Sequence, residues 1–183
     1  MSVHTLLAVL LAATFGGGFE QPYVEGAYYR YATGTRLGPW TVTKGDVDVA
    51  SNSLWQVTEG RQNLDLDGGQ QGAVTATFPT EPLLTYRITY DLAGNYAGPP
   101  VVKTGELRVN GKLIQALSFD TTGRTATNMG FTRRTAYVLA KSDSFRLEFA
   151  STTTPAGYGP VIDDVRVDAC LLIICPKGVS PAA

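Results

Sequence analysis

Histidine is almost absent from this chain: His4 is the only one in 183 residues. It lies in an apolar leader, and if that leader is removed the remaining protein has no imidazole. Ser-His-Asp catalysis, Cys-His catalysis and zinc sites built on His are then excluded. Cysteine is scarce as well. Cys170 and Cys175 are the only two, too few for a Cys₄ cluster. Charge is thin, at 17% of residues, with 15 Lys and Arg against 16 Asp and Glu and a net charge of -1. No basic run appears, and nucleic-acid binding needs a dense cationic face, so that partner class is excluded. No apolar run is long enough to span a bilayer. The longest, Thr5 to Phe15 (TLLAVLLAATF), has signal-peptide length and is followed by Gly16 to Gly18, although no Lys or Arg precedes it. It predicts a signal peptide over residues 1–16 and a secreted, extracellular protein. The alternatives for the same run are a first β-strand or a mis-set start codon.

What is present reads as β-structure almost throughout. In Thr85 to Leu92 (TYRITYDL), Tyr86, Ile88, Tyr90 and Leu92 share one face while Thr85, Arg87, Thr89 and Asp91 share the other. That alternation is the pattern of a half-buried strand. Phe145, Leu147 and Phe149 alternate with Arg146 and Glu148 in the same way, and Leu64 and Leu66 with Asp65 and Asp67. Further strands are expected at Trp40 to Thr43, Ala73 to Phe78, Glu106 to Val109, Lys112 to Phe119, Thr132 to Leu139 and Val161 to Val167. Asn110-Gly111 predicts a type I′ hairpin, because both central residues of that turn need positive φ. Glycine- and proline-rich breaks at Gly68-Gly69, Gly94 to Pro100 and Thr154 to Pro160 separate other strands. Roughly nine or ten short strands with turns between them predict a sandwich or barrel. The length allows one domain, expected over 17–169, with a C-terminal tail over 170–183.

Asp65 and Asp67 lie two apart on one strand face, about 7 Å from each other by strand geometry. That spacing falls within the range of an inverting glycosidase pair. Solvated alternating acids on a strand are the commoner reading, since neither shows a pocket that would raise its pKa. Cys170 and Cys175 are separated by four residues and could close a small disulfide loop in an oxidising compartment, or remain two free thiols.

Seven stretches occur in the order of one family: Gly17 to Pro22 (GGFEQP), Pro39 to Val42 (PWTV), the block from Leu54 to Asp67, Tyr90 to Asn95 (YDLAGN), Phe119 to Gly123 (FDTTG), Asn128 to Thr132 (NMGFT) and Tyr158 to Val165 (YGPVIDDV). The chain resembles the choice-of-anchor C proteins of bacteria, which are related to the plant cell-wall domain-of-unknown-function 642 proteins. The resemblance implies an all-β fold, an antiparallel jelly-roll β-sandwich of the galactose-binding-like type. It implies association with cell wall or matrix, and polysaccharide binding rather than catalysis. No C-terminal sorting signal of the kind many bacterial members carry is visible, and Phe131 stands where the motif usually has Trp.

The resemblance supports a structural Ca²⁺. Glu20 follows the glycine run at the start of the domain, and Asp163 and Asp164 lie on its last expected strand, which often runs beside the first. Carboxylates from both ends could share one hard cation. Asp163 is expected on the inward face with Val165 and Val167, where a carboxylate needs a cation or strong hydrogen bonds. The alternative is that Glu20 caps backbone N–H groups and Asp163 pairs with an arginine. Family analogy also implies a sugar platform. Trp55, Gln56, Gln62, Asn63, Asp65 and Asp67 lie in one segment, with Tyr96 in the glycine-rich loop and Asn128 beyond. Aromatic faces would stack on sugar rings, with amides and carboxylates reading hydroxyls. Core packing is the competing role for Trp55.

The expected function is a non-catalytic secreted carbohydrate-binding module whose partner is a polysaccharide or glycosylated surface. Two alternatives stand beside it. One is a structural subunit of an extracellular assembly or fibre, with self-association through edge strands or the CLLIIC tail. The other is a weak glycoside hydrolase.

Overall fold

The computed structural model describes residues 17–170. The leader expected at 1–16 and residues 171–183, Cys175 included, lie outside the described residues. Twelve strands and no helix occur within them: β1 (Tyr28–Ala32), β2 (Arg36–Leu37), β3 (Trp40–Lys44), β4 (Asp46–Ser51), β5 (Gln62–Asp65), β6 (Ala73–Pro79), β7 (Thr85–Gly94), β8 (Val102–Val109), β9 (Lys112–Asp120), β10 (Thr132–Leu139), β11 (Ser144–Ser151) and β12 (Pro160–Cys170).

The strands form two six-stranded antiparallel sheets. One runs β1-β4-β5-β12-β7-β10 and the other β2-β3-β6-β11-β8-β9. Period-two alternation is the cause of the layering. In β7, Tyr86, Ile88, Tyr90 and Leu92 are buried while Arg87 and Thr89 are half-buried on the other face. In β11, Phe145, Leu147 and Phe149 are buried between Arg146 and Glu148. The inner faces meet in an aromatic cluster around Trp40, whose ring lies 5.6 Å from Phe19, 5.9 Å from Phe149 and 6.4 Å from Phe78. This is the expected jelly-roll sandwich of the galactose-binding-like type. Asn110 and Gly111 both have positive φ, at 50° and 78°, and join β8 to β9 as the Asn-Gly pair requires.

β12 departs from the expected alternation. A register shift lies between Asp163 and Arg166 against β7, and Asp164 takes a φ of 47°. This bulge breaks the phase of the strand. Asp163 and Asp164 are both buried as a result, and Val167 is only half-buried. The expectation that Asp163, Val165 and Val167 share one inward face is corrected by that extra residue.

Candidate functional site

Strand termini β5, β7, β8, β11 and β12 bring three loops together at one end of the sandwich: 66–72, 95–101 and 152–159. Asp65 closes β5 and is fully buried. Its Oδ1 accepts from the amides of Asp67 (2.9 Å) and Gly159 (3.1 Å), and its Oδ2 accepts from Asn95 Nδ2 (2.7 Å). Asn95 Oδ1 in turn accepts from the Ala97 amide at 3.0 Å, the local turn that Asn favours. Both Asp67 oxygens are buried without a well-formed hydrogen bond, although the Ser151 hydroxyl and the Gly157 and Gly72 amides lie near them. Burial pushes the Asp65 carboxyl well above the usual carboxylate range and raises that of Asp67. The expectation that neither acid has a pocket to raise its pKa is therefore corrected.

Lys103 lies beside them, with no exposed surface. Its Nζ donates to Gly98 O at 2.6 Å. Burial lowers the Lys103 pKa, and the charges of Asp65 and Asp67 act in the opposite direction. Above this buried layer sits Tyr158. Its ring packs directly on the Gly98 backbone, where a methyl group would run into it. The Lys103 ammonium stands 5.6 Å from the ring centroid. Tyr158 is nonetheless 37% exposed. Gln71 borders the same loop end, donating from Nε2 to Thr153 O (2.8 Å) and Thr154 Oγ1 (3.2 Å).

The residues expected to form one sugar platform separate into four settings. Trp55 is a core residue, 7% exposed. Gln62 and Asn63 are buried braces. Gln62 Oε1 accepts from the Val24 amide, and its Nε2 donates to Phe19 O and Pro22 O. Asn63 Nδ2 donates to Gln56 O. Gln56 is exposed and meets the Asn128 loop: its amide donates to Ala126 O, its Oε1 accepts from the Met129 amide, and Asn128 bridges Thr125. Asp65, Asp67 and Tyr96 belong to the loop end, where Tyr96 is half-buried against the core. A continuous platform is thus corrected: Gln62, Asn63, Asp65 and Asp67 are fully buried, because the first residues of the domain, the 52–61 loop and the 95 and 159 loops fold over them.

The expected calcium ligands also find other partners. Glu20 Oε1 accepts from the amides of Arg61 and Gln62, both at 2.9 Å. Asp163 Oδ2 accepts from the Thr58 amide (2.7 Å), the Thr58 hydroxyl (3.0 Å) and the Glu59 amide (3.0 Å), and its Oδ1 from the Asp164 amide (2.7 Å). Asp164 holds Arg133 at 2.5 Å and Arg166 at 2.7 Å, and Arg133 also pairs with Asp91 at 2.9 Å. A calcium ion takes about six to eight oxygens with free lone pairs. Both oxygens of Asp163 and of Asp164 are already engaged by N–H, O–H or guanidinium donors, whereas Glu20 is engaged through Oε1. The alternative of a capping Glu20 describes that residue; the arginines fall to Asp164, not Asp163.

Cys170 is disulfide-bonded, and Cys175 lies outside the described residues. Lys103, Gly98 and Tyr158 were absent from the expected site. Lys103 had a signal: it shares a strand phase with Gly105, Leu107 and Val109, which places it inward.

Among solved structures, the fold resembles a family 35 carbohydrate binding module from Clostridium thermocellum. That chain is 11% identical, with a TM-score of 0.52 over 78% of this chain and 98% of the other. A family 35 module from Paenibacillus barcinonensis is 19% identical with a TM-score of 0.48, covering 78% of this chain and 98% of its own. The CBM22-1 xylan-binding domain from the same organism is 14% identical with a TM-score of 0.48, covering 77% and 92%. No match was found among curated proteins. The sequence itself matches a family over residues 15–168, nearly the whole sandwich, and by that match the chain belongs to DUF642, a protein family of unknown function.

Proposed function

We propose that this chain is a non-catalytic, extracellular carbohydrate-binding module that holds a sugar ring against Tyr158. The observation that carries this reading is the seating of that ring. Gly98 and Lys103 fix it from the protein side while 37% of the residue stays open to solvent. A rigid aromatic face binds the apolar side of a pyranose without ordering a mobile side chain. Fold analogy with the C. thermocellum module supports the same ligand class.

Two further observations support parts of the reading. Asp65 and Asp67 lie beneath the segment from Gly157 to Gly159, so neither carboxyl is open to a glycosidic bond, as paired-acid hydrolysis needs. The bonded Cys170 suits an oxidising compartment.

Affinity electrophoresis through xylan, mannan and pectin gels tests the site. Tyr158→Ala should weaken retention by about fivefold, the equivalent of ~1 kcal/mol for one stacked aromatic. Gly98→Ala should do the same by displacing the ring, with Tyr158 itself intact. Retention equal to wild type in both variants would remove Tyr158 from the site. A wild-type chain that no polymer retards, and that binds nothing on a glycan array, would remove the function.

A further inference from the structure

A second set of tyrosines lies far along the first sheet. Tyr23, Tyr28, Tyr29 and Tyr31, four of the nine in the chain, fall within nine positions. The first three are 60%, 53% and 59% exposed. β1 is the outermost strand of its sheet and pairs with β4 alone. Its register sets Tyr29 opposite Val49 and Tyr31 opposite Val47, two fully buried core valines. Opposed residues of an antiparallel pair share a face. Tyr29 and Tyr31 therefore lie on the core-facing side of β1, at a strand that overhangs the core. Tyr31 packs partly against the core, while Tyr29 remains open. Their ring centroids are 4.8 Å apart with planes tilted by 50°.

The other face of β1 holds this pair in place. Arg30 stands opposite Asp48 and donates from Nε to Oδ1 at 2.8 Å and from its terminal nitrogen to Oδ2 at 2.9 Å. Such a two-point contact fixes geometry as well as charge. It also cancels the one charge that β1 carries. What remains at the surface is aromatic face and phenol hydroxyl without net charge. An anionic ligand would need a cation that β1 does not offer. A neutral polyol suits the patch: its C–H faces stack on the rings and its hydroxyls meet the phenols.

We propose that Tyr29 and Tyr31 form a second subsite for a neutral glycan chain, separated from Tyr158 by β4 and β5 in the sheet order. This rests on the carbohydrate-binding reading but not on the Tyr158 site. Two weak subsites on one rigid domain would raise retention on a polymer by avidity.

The test uses the full chain, with xylan and galactomannan as neutral polymers, and the variants Tyr29→Ala, Tyr158→Ala and the two combined. Tyr158→Ala should keep residual retention, and adding Tyr29→Ala should reduce it by a further factor of about five. Tyr29→Phe should retain most of the binding, since the stacking face survives. If Tyr29→Ala matches its parent in both backgrounds while Tyr158→Ala loses binding, the second subsite is wrong and the first stands. If wild type is retained by neither neutral polymer, the second subsite falls, while the Tyr158 site is decided by pectin and the glycan array. Light scattering supplies the remaining arm: a concentration-dependent dimer abolished by Tyr29→Ala would assign the patch to a second copy of the chain instead. Unchanged melting of each variant separates these outcomes from misfolding.

Discussion

Thr58 clasps Asp163 twice, through its amide at 2.7 Å and its hydroxyl at 3.0 Å, although 105 positions separate the two residues. The Glu59 amide adds a third bond to the same oxygen. Three donors on one buried carboxylate oxygen tie the loop between β4 and β5 to the bulge of β12. The Gly17 carbonyl accepts from the Val165 amide next to it, so the start of the domain is drawn into the same clasp.

The clasp predicts a pH dependence of stability. Burial pushes the Asp163 carboxyl up from its ordinary 3.8 to about 7, against its four hydrogen bonds. A raised carboxyl means the folded chain binds a proton that the unfolded chain does not, between those two values. Stability should therefore rise as pH falls from about 7 towards about 4, by up to about 1.4 kcal/mol per pH unit for one fully linked proton. Asp65, Asp67 and Glu59 are shifted in the same direction and should add to the slope. Urea melts from pH 4 to pH 8 should show this, and Asp163→Asn should reduce the slope by about one proton. An identical slope in that variant would assign the titration elsewhere.

Chelator should leave the melting temperature unchanged. Glu20 is held by the Arg61 and Gln62 amides, Asp164 by Arg133 and Arg166, and the two ends of the domain meet through the Gly17–Val165 backbone bond, none of which needs an ion. A calorimetric scan with and without EDTA, alongside metal analysis, checks this. A fall of several degrees with stoichiometric calcium would restore a metal to this region.

Trp55→Ala should destabilise the fold rather than weaken a surface contact. Trp55 is 7% exposed within the core cluster, and removing a buried Trp costs about 3–5 kcal/mol. Denaturant unfolding measures the loss. A variant as stable as wild type but poorly retained by polysaccharide would return Trp55 to a ligand surface.

The strands were legible because alternation is local: Tyr86, Ile88, Tyr90 and Leu92 state their own face. β1, β2 and β4 were not foreseen. β1 carries exposed tyrosines on both faces and so shows no alternation, and β2 has two residues. The expected site mixed residues that the fold keeps apart. Gln62, Asn63, Asp65 and Asp67 look like a polar surface segment, yet Gln62 is covered by Phe19, Pro22 and Val24, Asn63 by the Gln56 carbonyl, and Asp65 by Asn95 and Gly159, all distant in sequence or in other loops.

Composition and period alone thus determined that this chain is an all-β sandwich or barrel without imidazole chemistry in its body, since both follow from which side chains exist and how they alternate. Which carboxylates are buried, which tyrosines face solvent and which glycine seats Tyr158 were decided only by strand order and the bulge at Asp164. Those depend on contacts between residues dozens of positions apart, which no local pattern records.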